Sequence, residues 1–245
     1  MGGTSTHASG VLGTGLNPAL TTIDSYSALS FNSSLNQFIH ALSEFSLAYS
    51  QCNGKRSFGA QIQQMGDRRL QTLRIDSWLA MALTENLSMG VNARLIHLAA
   101  APPYGSLFDP QIDLGMHLKI SEQLMASGYI FNAGRSELIK EFNERGESFA
   151  LAGIHYKATS SFNTVFETEV NNRRGLVYRF GFEYEVSQSF FIRSGYESDN
   201  KEFGLGCGIY KGSRNTDLCF QYNSELGFTF SLGFRMDLVS KKQVE

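Results

Sequence analysis

Asp113 and His117 are the first pair to ask for chemistry, because an acid and a histidine four residues apart share one face of a helix. On a strand they also share a face, but lie about 13 Å apart, too far for the direct hydrogen bond that a general base needs. Glu167 and Glu169 form a second candidate pair, and Glu183 and Glu185 a third. Paired carboxylates do acid–base work or hold calcium. Arg179 and Arg193 stand close by in sequence, so salt bridging is the simpler role. The five histidines are scattered, no Gly-x-Ser-x-Gly occurs, and the three cysteines make neither a Cys-x-x-Cys nor a zinc pattern. Gly204 to Gly212, GLGCGIYKG, looks at first like a phosphate loop. Such a loop needs a helix opening behind it to present N–H groups and a dipole to the anion. Here a turn, Ser213-Arg214-Asn215, leads instead into the alternating run Thr216–Tyr222. The expectation is therefore a protein with no catalytic residues, no cofactor and no metal.

The elements that hold these residues are strands. In Leu226–Leu238 the apolar side chains Leu226, Phe228, Phe230, Leu232, Phe234, Met236 and Leu238 alternate with Gly227, Thr229, Ser231, Gly233, Arg235 and Asp237. Leu176–Val186, Ile112–Ile120 and Leu87–Leu95 repeat the pattern, the period of a strand with two unlike faces. The chain of 245 residues supports about fourteen such segments of a length suited to a tilted strand in a bilayer. They fall at 25–33, 40–51, 57–66, 71–84, 87–98, 110–121, 124–134, 148–158, 161–171, 175–187, 189–198, 202–212, 215–223 and 225–238. One short stretch, 136–144, has a helical pattern. With both termini on the periplasmic side, the two longest connections, 99–109 and 134–147, are extracellular. The periplasmic ones are tight turns such as Asn53-Gly54, the habit of outer-membrane barrels.

The fold expected is all-β: a single transmembrane antiparallel barrel of about fourteen strands with an N-terminal segment in its lumen. Residues 1–24 form that luminal or periplasmic plug, 25–238 the barrel and 239–245 a periplasmic tail. Phe228, Phe230, Leu232 and Phe234 face lipid or a partner. A net charge of −2 gives nucleic acid no hold. The lumen carries charges of both signs, with Arg74, Asp76, Arg179, Glu183, Arg193 and Glu197 as a network that pairs across strands. A single-sign ring would have meant an ion-selective pore. Trp78 and the histidines 117 and 155 face inward. Gly204, Gly206 and Gly208 make a bare luminal wall, joined by Gly90, Gly115, Gly128 and others. Bare strand faces mark the close approach of another segment, and the small, polar N-terminal stretch is the candidate to cover it. The alternative is a soluble all-β binding protein, a sandwich or lipocalin-like barrel with its apolar face turned inward.

The N-terminal stretch also carries a family likeness. Met1-Gly2-Gly3-Thr4, with Asn17-Pro18-Ala19-Leu20 ahead of the first strand, resembles the start of PorV/PorQ-like and FadL-like outer-membrane barrels. Leu20 follows Ala19 directly, where the family motif places a glycine. The resemblance implies a fourteen-stranded barrel in a bacterial outer membrane, in contact with its lipid, with Gly2, Gly3, Asn17, Pro18 and Ala19 in the luminal plug. It implies two functions. PorV-like members are accessory barrels of type IX secretion, part of a larger outer-membrane complex, and FadL-like members are channels for hydrophobic small molecules. The charged lumen favours the accessory, non-enzymatic role, with the hydrophobic channel as the alternative.

Overall fold

The computed structural model describes residues 17–23, 27–103, 105–139 and 144–238. Seven strands come first: β1 (Ala28–Asn36), β2 (Glu44–Cys52), β3 (Arg56–Gly66), β4 (Leu70–Ala82), β5 (Leu87–Ala100), β6 (Gly105–Lys119) and β7 (Leu124–Phe131). A small hairpin, β8 (Glu137–Ile139) and β9 (Glu144–Arg145), stands apart from the wall. Then follow β10 (Phe149–Lys157), β11 (Phe162–Asn171), β12 (Gly175–Ser187), β13 (Phe190–Glu197), β14 (Glu202–Lys211), β15 (Arg214–Asn223) and β16 (Gly227–Asp237). The strands other than the hairpin form one closed antiparallel barrel, each paired with its sequence neighbours, and β1 closes on β16 in the register Phe31 to Phe234. This is a fourteen-stranded, all-β barrel with no free edge at the seam.

The alternation resolves into an apolar outside and a polar inside. Phe31, Leu47, Ile62, Leu79, Val91, Leu114, Phe180, Leu205 and Leu232 are all exposed on the outer face. Asp76, Asn92, Asp113, Glu167 and Glu169 are almost completely buried within. A soluble barrel would show the reverse, because exposing this much apolar surface to water is costly. Lipid is the solvent that this outer face fits. Phe230, Leu232 and Phe234 are exposed on it, and Phe228 packs its ring against Phe220 and Tyr222.

Three expectations shift. The connection 99–109 is mostly strand: β5 runs on to Ala100 and β6 starts at Gly105, with His97 stacked on Phe108 across the pair. β6 pairs with β7 only from Leu114 onward, so its first nine residues rise as part of a β4–β5–β6 flap. The stretch 136–144 is not helical where described. Glu137 pairs with Arg145, and Asn132 fixes the approach by accepting from Ser136 N at 3.0 Å and donating to Glu147 O at 3.0 Å. Gly128 faces outward, beside the Met116 side chain, and Tyr129 takes the inward place.

Close approach explains one glycine on the wall. Trp78 points inward, is 4% exposed, and lies across Gly59, its partner in the β3–β4 register. A Cβ at position 59 would strike the indole ring and the Tyr49 carbonyl. Gly59→Val is therefore expected to destabilise the barrel by about 1–3 kcal/mol, the usual cost of overpacking. Equilibrium unfolding in urea from lipid vesicles measures it, and an unchanged midpoint would refute the packing argument.

Candidate functional site: the occupied lumen

Inside the barrel, residues Pro18–Thr22 form a single 3-10 turn, and all five are buried. The local sequence dictates this turn. Asn17 is its N-cap, with the side chain accepting from Ala19 N at 3.0 Å, and proline follows where a missing N–H costs nothing. The Thr21 and Thr22 hydroxyls donate back to the carbonyls of Pro18 (2.7 Å) and Ala19 (2.9 Å). The turn thus satisfies its own polar groups, which a buried segment must do.

Its seat is the wall of β4, β5 and β6. Asn17 Nδ2 donates to the carbonyls of Met116 (3.2 Å) and Gly128 (3.3 Å). Thr22 Oγ1 lies 2.8 Å from Ser88 Oγ, which has a proton to give it, and the Cys52 thiol lies 3.9 Å from Thr22 O. Two luminal glycines make the room. A Cβ on Gly115 would collide with Asn17 Oδ1 and lie 2.8 Å from Pro18 Cδ. A Cβ on Gly90 would lie 3.0 Å from the backbone of Pro18 and Ala19. The bare wall Gly204–Gly206–Gly208 is not where this turn sits. The space over Gly208 is taken by Arg193 and Asp217, and Gly206 faces the Leu218 carbonyl. Gly2, Gly3 and the tail 239–245 lie outside the described residues.

Around the turn the luminal charges form three clusters. In the first, Asp76 accepts from Arg74 Nε (2.8 Å), Arg94 Nε (2.7 Å) and Asn92 Nδ2 (3.0 Å). Asp113 accepts from Arg94 Nη2 (3.0 Å), Asn92 Nδ2 (2.9 Å), Tyr129 OH (2.9 Å) and Asn132 N (2.9 Å). In the second, Arg179 bridges Glu197 (2.5 Å) and Glu169 (2.8 Å), and Arg174 caps the same carboxylates from the loop after β11. In the third, Arg193 joins Glu183 (2.6 Å), Asp217 and the Tyr210 hydroxyl. All six residues named from the sequence fall in these clusters.

The network expected from the sequence left out Arg94 and Asp113, which stand at the centre of the first cluster. It missed Tyr129, Phe131 and Phe149, whose rings turn inward, with the Arg94 guanidinium 4.5 Å above Phe131. The parity of Tyr129 and Phe131 with Ser127, and of Phe149 with His155, was the available signal. Asp113 and His117 do not meet: His117 Nδ1 is 3.0 Å from Ser127 Oγ, and the Asp113 carboxylate is committed to Arg94 and its neighbours. One glutamate of each pair likewise serves an arginine, Glu169 with Arg179 and Glu183 with Arg193, which ties neighbouring strands of the wall together.

Barrel closure, an apolar outside and a polypeptide segment seated in a charged lumen define a membrane-spanning type of β-barrel. No protein-family model matches the chain, and no curated protein matches it in sequence. Solved structures do. The Pseudomonas putida toluene transporter TodX superposes with a TM-score of 0.69 at 12% identity, over 96% of this chain and 95% of that one. The CymD monoaromatic hydrocarbon channel gives 0.68 at 12% identity, over 94% of both chains. A Pseudomonas aeruginosa FadL homologue gives 0.66 at 10%, over 90% of this chain and 92% of that one. At such identities the likeness is one of fold.

Proposed function

We propose that this protein is a non-enzymatic barrel of a bacterial outer membrane that passes small hydrophobic molecules, with its N-terminal segment as the gate. The observation that carries the reading is the Asn17–Thr22 turn, seated on Gly90 and Gly115 inside a closed barrel. The turn fills part of the lumen, so its movement widens a route along the barrel. The neighbours of like fold include a toluene transporter and monoaromatic hydrocarbon channels, which supports an apolar cargo over an accessory role in type IX secretion. The mixed-sign lumen speaks against an ion filter.

Purified protein in liposomes is expected to speed toluene entry several-fold over protein-free liposomes. Entry no faster than the lipid background, both for the parent and for a variant with the turn unseated, would overturn the channel. Recovery from native membranes in a stoichiometric complex with another large barrel would then favour the accessory-subunit role.

A further inference from the structure

Beneath the seated turn, at the end of the barrel where β1 begins and β16 ends, lies a cavity of about 650 Å³. Thr22 and Ile23 reach it from the turn. Three lysines line it, Lys55, Lys119 and Lys157, against two carboxylates, Glu85 and Glu122. Lys119 is tied to Glu122 at 2.5 Å. Glu122 also feels the charge of Lys157, and three lysines against two glutamates leave one positive charge in excess on the described lining. His117 adds a polar group to the lining, buried to 7% exposure, with Nδ1 3.0 Å from Ser127 Oγ. Ile23, Leu83 and Met125 supply apolar surface on the same lining.

We propose that this cavity binds a small organic anion, an oxyanion group carried on a compact apolar body. The oxyanion meets Lys157 and Lys119, where partial enclosure keeps the charges less screened than on an open surface. The body lies against Ile23 and Leu83. Neither the lysines nor the cavity takes part in the ion networks of the lumen, so this site stands whether or not the barrel transports hydrocarbons. The ligand touches Thr22 and Ile23 directly, so it recognises the barrel with its turn in place.

Isothermal titration of the full-length protein in detergent micelles tests this, with benzoate as the probe and inorganic phosphate and toluene as comparators. Benzoate is expected to bind saturably and more tightly than either comparator. Lys157→Gln is expected to weaken benzoate about ten-fold, the loss of one charge-assisted hydrogen bond. Ile23→Ser is expected to weaken benzoate and leave phosphate unchanged. Heat-modifiable migration on a gel confirms that each variant is a folded barrel. Three results would overturn the proposal: no saturable heat with benzoate, Lys157→Gln and Lys119→Gln variants that bind it like the parent, or phosphate bound as tightly as benzoate.

Discussion

Gly115→Leu unseats the Asn17–Thr22 turn while leaving the barrel folded. The side chain has nowhere to go but into the space of Asn17 Oδ1 and Pro18 Cδ. Asn17 then loses its bonds to the Met116 and Gly128 carbonyls, and the cap on Ala19 N is strained with them. Each bond is worth about 1 kcal/mol net, so losing two or three shifts the seated population by roughly 30- to 150-fold. Asn17→Ala reaches the same end by a gentler route, since it deletes the bonds without a clash. Cys52 reports the outcome, because its thiol is buried beside Thr22. With Cys207 and Cys219 changed to serine, both variants are expected to react with a maleimide at Cys52 at least ten-fold faster than the parent. The same variants are expected to raise toluene entry into liposomes. Unchanged labelling in both would mean that the turn stays seated without these contacts.

The barrel was legible in the sequence because lipid and lumen make unlike demands on the two faces of each strand. β12 and β16 have aromatic residues on one face and glycine or charge on the other, so their expected ranges match to within two residues. β1 and β2 sit about three to four residues later at their starts than their expected ranges. Serines such as Ser30, Ser33, Ser46 and Ser50 blur the contrast there. Above the rim the contrast fails for another reason. Ile96, Leu98 and Leu107 point toward the lumen side of the flap, where neither bilayer nor water dictates polarity, and a strand was read as a loop.

β7 shows the limit of parity: Leu124–Phe131 is apolar on both faces, and one glycine tipped its reading the wrong way. The seat of the turn was hidden more deeply. Several bare strand faces were visible, and each invited a covering segment. Which one is covered depends on the registers that bring Gly90 and Gly115 side by side, and no single strand carries that information. The charge clusters fall between these cases. Opposite signs on luminal faces were plain, while the fork of Arg94 between two aspartates needs the three-strand register of β4, β5 and β6.

That fork is the second place where one substitution has a large effect. Arg94 is fully buried and gives Nε to Asp76 and Nη2 to Asp113, whose side chains are 1% and 0% exposed. Arg94→Met leaves two buried carboxylates with Arg74, Asn92, Tyr129 and the Asn132 N–H as their remaining partners. Breaking a buried pair from one side costs about 3–5 kcal/mol, because the orphaned charge cannot reach water. Lys119→Met removes an ion pair too, but its partner Glu122 is 88% exposed, and a change within about 0.5 kcal/mol is expected. Arg94→Lys is not a rescue, since one ammonium cannot span both carboxylates as the planar fork does. Adding Asp76→Asn to Arg94→Met removes one of the orphaned charges and is expected to recover part of the loss. Urea unfolding in lipid vesicles orders the four variants, and an Arg94→Met barrel as stable as Lys119→Met would refute the fork as a strut. The position of the fork also ties stability to gating. Arg94 lies four residues from Gly90 on β5, and Asp113 two residues from Gly115 on β6, so the strands it clamps are the ones that form the seat. Arg94→Met is therefore expected to speed Cys52 labelling as well, though less than Gly115→Leu, because it loosens the seat without filling it.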